Sequence, residues 1–193
     1  MSEARIPPRP IDDWDAEMDD ALNAMRSPGS TRQPGERRQS NVMGVFAWHP
    51  ALAKAFFTFN HHLFHSTLSG RDRELATVRI AWLRRAEYEW AQHVRMAKRA
   101  GVSDEEVDAI SAGPDSPVWG PRDAALLRSV DEIAADHCIS DETWKQLGEH
   151  LDRKQLMDLV FTIGAYDLLA AAFNTFGVQL DPGLPGFPPE SDG

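Results

Sequence analysis

The chain has 193 residues, an apolar share of 42% and a formal net charge of −10, with a sequence pI near 5.1. That length suits one domain with a real core, or a subunit of an oligomer, and the acidic balance argues against nucleic acid as the main partner, because phosphate contacts dominate such binding. The single cysteine, Cys138, excludes an intrachain disulfide and any Cys-x-x-Cys redox pair.

In chain order, residues 1–11 are proline-rich and lack the apolar stretch of a signal peptide, so a reducing, cytoplasmic setting is expected. Residues 14–25 fit a short acidic helix using Trp14, Met18, Leu22 and Met25, and 27–40 reads as a loose Gly/Pro/Arg/Ser linker. Pro50 can open a helix to about Thr67. Ser69 or Asp72 can cap a helix through about Leu83; Glu87 opens the next, and Gly101 stops it. Ser103 with Glu106 forms a capping box for a short helix ending near Gly113. Further helices are expected over 121–137, from Ser140 or Asp141, and from Asp152 to just before Gly177. That last stretch is the most apolar, but Asp158 and Asp167 read as marks of a buried helix, not a lipid-facing span. No run alternates with period two, so the fold is expected to be all-α. The organisation expected is an N-terminal extension over 1–40 with one short helix and a flexible linker, a helical domain over 41–180, and a proline-rich tail over 181–193. That tail is expected to run extended, as a candidate to lie over a neighbouring subunit.

Chemistry concentrates in 74–93. Ala86, Glu89 and His93 are spaced three and four apart and so share a helical face. Glu74 lies on the preceding helix, nineteen residues before His93. If the two helices pack antiparallel, the carboxylate can meet the imidazole, fix its tautomer and raise its basicity, as a general base requires. The plainer alternative is a buried pair that only orients two helices. Tyr88 beside Glu89 could hydrogen-bond a substrate oxygen, or could fill the core as Trp82 and Trp90 do.

Arg79 stands among apolar neighbours and could bridge to another helix or capture an anionic ligand. Over 71–99, eight Arg or Lys stand against four Asp or Glu, a local excess that suits a small acidic substrate. His61 and His65 are four apart on a phenylalanine-rich helix with no carboxylate nearby in sequence, so an interface or pocket-mouth role is expected rather than metal binding. Cys138 lacks a resolving partner, and a peroxidatic role is not expected of it.

The run Leu68-Ser69-Gly70-Arg71-Asp72-Arg73-Glu74-Leu75-Ala76, then Glu87-Tyr88-Glu89-Trp90-Ala91-Gln92-His93, then Ala97 to Gly101, resembles the carboxymuconolactone decarboxylase family, to whose superfamily alkyl hydroperoxidase D (AhpD) belongs. The resemblance is strongest over 49–112 and extends loosely through 159–181, with Gly164, Tyr166, Asn174 and Phe176-Gly177. It implies an AhpD-like all-helical bundle assembled as a homo-trimer or homo-hexamer, with pockets near the interfaces. In the peroxidase branch a glutamate precedes a Cys-x-x-Cys pair and a histidine follows it. Here Glu74 and His93 match those two, Tyr88 matches the tyrosine before the second cysteine, and Ala86 and Glu89 stand in the cysteine places. A methyl and a carboxylate cannot replace thiols, so disulfide-cycling peroxidase activity is expected to be absent.

The decarboxylase branch implies a lyase or proton-transfer enzyme that uses no cofactor or metal and acts on a small lactone or keto acid from aromatic-compound breakdown. Glu74, Tyr88, Glu89 and His93 are then the catalytic candidates, with Arg79 and Tyr166 on the substrate. The alternatives are an alkyl hydroperoxidase-like antioxidant protein and a noncatalytic oligomeric binding protein. No nucleic-acid or membrane partner is expected.

Overall fold

The computed structural model describes residues 4–26, 37 and 40–188, and every regular element among them is helical. Most of the expected linker, and the tail beyond 188, lie outside the described residues. Contacts divide the chain into two units: Met1–His65 with Phe173–Pro182, and Ser66–Ala172 with Gly183–Gly193.

The first unit holds α1 (Ala16–Asn23), α2 (Asn41–Phe46) and α3 (Pro50–Phe64), preceded by a single 3-10 turn, Ile11–Asp13. Asp15 caps α1 by accepting the Met18 N–H. Trp14, Met18, Ala21 and Leu22 form a core with Ala53 and Phe57 of α3. Helix α2 is an addition to the expected elements, since its six residues are too few to show a period; its signal is Ser40, which accepts the Met43 N–H. The first residues, expected to be loose, are tied down. Arg5 and Ile6 donate backbone N–H groups to Phe176 O at 2.8 and 3.1 Å, and Arg9 N–H reaches Gly44 O at 2.9 Å. Pro8 sits so close to Gly44 that a Cβ there would meet Pro8 Cβ at 2.5 Å. Three backbone bonds and a side-chain-free contact suffice to hold a proline-rich segment that has few donors to satisfy.

The second unit contains α4 (Gly70–Leu83), α5 (Glu87–Arg99), α6 (Asp104–Ala112), α7 (Pro121–Asp136), α8 (Asp141–Gly148) and most of α9 (Arg153–Phe176). Helix α4 packs on α5, α6 and α7, and it is buried on every side from Glu74 to Ala81. An enclosed helix is normally apolar all round, yet α4 carries charges, and each is matched. Arg122 holds Asp72 with two bonds of 2.7 Å, and Arg71 pairs with Asp123 at 2.8 Å and with Glu106. The expected caps are in place: Ser69 accepts the Asp72 N–H, and Ser103 and Glu106 form the full capping box.

A left-handed residue, Arg85 (φ 53°), reverses the chain between α4 and α5, and Ala86 N–H closes the turn onto Ala81 O at 2.8 Å. This is a Schellman-type end without glycine. The Arg85 guanidinium lies 5.3 Å from the Trp82 ring centroid. The described start of the tail folds back on its own chain. Phe187 packs its ring 5.4 Å from both Trp82 and Trp90, and its N–H donates to Glu87 Oε1 at 3.4 Å. Two indoles already paired at 5.2 Å leave an apolar notch that an aromatic ring fills.

By length and composition α9 could cross a bilayer, but 56% of its most apolar window is buried inside the protein. Its two acids are matched within the chain. Asp158 accepts the Thr67 N–H and hydroxyl at 2.8 and 2.7 Å, and Asp167 accepts Arg84 at 2.6 and 3.1 Å.

Candidate functional site

The α4–α5 hairpin is antiparallel, and its register sets Glu74 against His93 and Ala81 against Ala86. His93 Nδ1–H donates to Glu74 Oε2 at 2.8 Å, while Arg73 Nε and Nη2 donate to Glu74 Oε1 at 3.0 and 2.9 Å. Glu74 is 0% exposed. Burial alone raises its pKa, but the hydrogen bond and charge of His93, with those of Arg73, outweigh it and bring the carboxyl below its ordinary value. An ionised carboxylate only accepts, so Nδ1 carries a proton, and Nε2 is the ring nitrogen left to exchange one with a substrate.

Glu89 lies one turn before His93 on the same face, 2% exposed, and neither of its oxygens has a hydrogen-bond partner. Burial, then the charge of Asp167, pushes its carboxyl well above the ordinary range, which favours the neutral acid. Tyr166 reaches in from α9 and meets the His93 ring edge-on, with centroids 4.7 Å apart. Its hydroxyl is raised by burial and then by Glu74 and Glu89, so the phenol stays protonated beside both carboxyls. Glu74, Glu89, His93 and Tyr166 therefore gather a base, an acid and a phenol from three helices.

Two expected residues fall elsewhere. Tyr88 is turned about 140° around α5 from His93, and Gln92 Nε2 donates to its hydroxyl at 3.2 Å. The phenol beside the imidazole is Tyr166. The Arg79 guanidinium meets Asp131 with bonds of 2.7 and 2.9 Å and donates to Ile110 O and Ser111 O at 2.7 and 3.2 Å. It joins α4 to α6 and α7 instead of presenting a cation beside His93.

Arg73, Thr77, Thr162 and Asp167 also border this cluster, though no motif in the chain marks them as site residues. Thr77 is one turn from Glu74 and Thr162 one turn from Tyr166; both are fully buried with unpartnered hydroxyls. The available signal was their i, i+3 and i, i+4 spacing from acidic or phenolic residues. In the first unit, His61 and His65 stack with centroids 4.2 Å apart, and among the described residues no three metal-type side chains converge. Cys138 is exposed just past α7.

The helical bundle is similar in fold to the AhpD-like proteins. Residues 50–132 match the carboxymuconolactone decarboxylase family, and the described helices share their fold with AhpD-like structures. The chain is 22% identical over 116 residues to the uncharacterized protein YdfG of Bacillus subtilis (strain 168), covering 59% of this chain and 79% of YdfG. In fold it is similar to an AhpD-core, peroxidase-related protein of Ralstonia eutropha JMP134, with a TM-score of 0.76, 18% identity and 94% of each chain covered. It is also similar to the debrominase Bmp8, a variant of which has been solved in complex with 2,3,4-tribromopyrrole; there the TM-score is 0.68, identity 14% and coverage 92% of this chain and 91% of Bmp8.

Proposed function

We propose that this protein is a proton-transfer enzyme acting beside the carbonyl of a small oxidised compound, of the lactone or ketone type. The observation that carries the reading is the 2.8 Å bond from His93 Nδ1–H to Glu74 Oε2, with Glu89 unpartnered one turn away. His93 Nε2 takes a proton from the carbon next to the carbonyl. Electron density moves onto the carbonyl oxygen, where the Glu89 carboxylic acid donates a hydrogen bond or its proton to the developing enolate. The enol then collapses with reprotonation at carbon, giving an isomerised substrate, or the same substrate with its proton exchanged. Decarboxylation of a carbonyl acid would share the last step, since carbanion formation there also ends in protonation.

Support also comes from Ala86 and Glu89, which fill the places where the resembled peroxidases carry cysteines. An AhpD-type disulfide cycle lacks its thiols here. The Bmp8 complex is a precedent for a small planar ring in this fold. Oligomerisation belongs to the same reading: Met157, Phe161 and Leu168 are exposed along one side of α9 and offer an apolar seam.

The test is solvent exchange. The protein is incubated in D2O with a panel of lactones, ketones and keto acids that includes γ-carboxymuconolactone, while proton NMR follows exchange and a separate assay follows carbon dioxide. Exchange or release that His93→Ala abolishes supports the reading. Inert, well-folded protein across the panel refutes it and leaves the second reading, in which the sealed Arg73–Glu74–His93 group only braces the hairpin.

A further inference from the structure

Buried polar groups without partners are rare, and those present usually await water or a ligand. Here Glu89 has two such atoms, and Thr77 and Thr162 one each, all in the second unit. The hairpin register that sets Glu74 against His93 places Thr77 and Val78 opposite Trp90 and Glu89. The Thr77 hydroxyl and the Glu89 carboxyl thus come from facing turns of α4 and α5. Tyr166 closes the group from α9, with its ring against His93.

The cations nearby are already engaged. Arg71 is held by Asp123 and Glu106, Arg73 by Glu74, Arg79 by Asp131 and Arg84 by Asp167. An incoming carboxylate would lie in the field of Glu74 and Asp167 and find no arginine of α4 or its C-cap available. An uncharged carbonyl oxygen would find hydroxyl and carboxylic acid donors that now have nothing to bond.

We propose that the site selects an uncharged carbonyl compound, a lactone or enolisable ketone, over its carboxylate-bearing counterpart, with Glu89 and Thr77 donating to the carbonyl oxygen. This rests on reading Glu74, Glu89 and His93 as a proton-transfer site. It narrows the substrate to a neutral form and makes Thr77 a specificity-determining residue. The acidic substrate that the basic surplus over 71–99 points to is disfavoured, because the buried part of that surplus is consumed by internal ion pairs.

The experiment is a binding comparison on the full chain, using muconolactone and its methyl ester as a matched pair, read by calorimetry at pH 7. The ester is expected to bind about tenfold tighter than the free acid, since a buried unpaired charge costs more than a neutral contact. Glu89→Ala and Thr77→Val each weaken the ester by about tenfold, the loss of a buried hydrogen bond. Glu89→Gln keeps a neutral donor and retains the preference. The charged and titratable groups around Glu89 are Asp167, which acts on it directly, and Tyr166, both from α9, with the Arg73–Glu74–His93 group of α4 and its own helix bordering the same Tyr166. Ester affinity of the wild type should fall at high pH as Glu89 ionises, and that of Glu89→Gln should lack this fall. The free acid binding as tightly as the ester, neither binding to folded protein, or an ester affinity indifferent to Glu89→Ala overturns the proposal. Ester preference without solvent exchange refutes the catalytic reading alone; exchange on the free acid with no ester binding refutes this one alone.

Discussion

Gly113 has no side chain where the Arg79 guanidinium lies: a Cβ on Gly113 would meet Arg79 Nη2 at 2.9 Å. Gly113 also holds φ at +93°, a conformation that other residues adopt only with strain. One glycine thus ends α6 and admits the arginine that ties α4 to α6 and α7. Gly113→Ala is expected to lower stability by about 1–3 kcal/mol, from the backbone strain and the displaced ion pair together. Chemical denaturation measures it. Because Arg79 lies outside the His93 cluster, exchange activity per folded molecule should be unchanged; a selective loss of activity would place Arg79 in the reaction.

Removing the imidazole should reduce exchange by about 100-fold or more, the usual contribution of a positioned base. His93→Ala also leaves Glu74 buried beside Arg73 alone, so some stability is lost too. Glu74→Gln separates the roles. The amide cannot fix the Nδ1–H tautomer as a carboxylate does, so the rate should fall while the fold persists. A Glu74→Gln protein with full activity would reduce that carboxylate to a brace.

Glu74 and Glu89 pull the pH dependence of stability in opposite directions. Glu74 is depressed in the folded state, so its contribution is present above the unfolded value of about 4.5 and is lost as pH falls through the folded value. Glu89 is raised. Above about 4.5 the unfolded chain releases its proton while the folded chain keeps it, so this residue erodes stability as pH rises toward its folded value, by up to about 1.4 kcal/mol per pH unit. Glu89→Gln should therefore be more stable than wild type near neutral pH and lack that slope. Denaturation curves from about pH 4 to 8 decide it, and an unchanged slope would mean that Glu89 ionises normally.

Among the described residues, 183–188 is held by the Phe187 ring, by its N–H bond to Glu87 and by a close approach of Gly186 to the Glu87 side chain. A Cβ at Gly186 would come within 2.1 Å of Glu87 Oε1. Gly186→Ala should turn the Glu87 carboxylate aside, break its bond from the Phe187 N–H, loosen the ring over Trp82 and Trp90, and increase acrylamide quenching of tryptophan fluorescence. Phe187→Ala should do the same with less strain. Unaltered quenching in both variants would show that the tail does not shield these indoles.

Helix boundaries were legible because their signals are local. Ser69, the Ser103–Glu106 box, Pro50, Pro121 and Gly101 each act within one turn of their own position, and each stands where the spacing put it. The same locality made α2 and the anchored first residues illegible. Six residues show no period, and Pro8 is held by Gly44, a partner across the intervening helix. Glu74 and His93 were legible as a pair because a hairpin with a tight turn permits one antiparallel register. The directions of Tyr88 and Arg79, which the sequence left open, were not legible because one residue of offset on a helix is about 100° of rotation.

The all-helical class, the caps and breaks that place each helix, and the Glu74–His93 spacing across one turn are written in the chain itself. All of these follow from interactions within a few residues or across a single hairpin. Which phenol meets the imidazole, which cations are consumed and which acid stays neutral were settled by packing between distant helices. Tyr166 comes to His93 from seventy-three residues away, Asp131 takes Arg79 from fifty-two, and Asp167 acts on Glu89 from seventy-eight. Burial and charge at a site are sums over every element packed around it, and no local pattern in the chain records that sum.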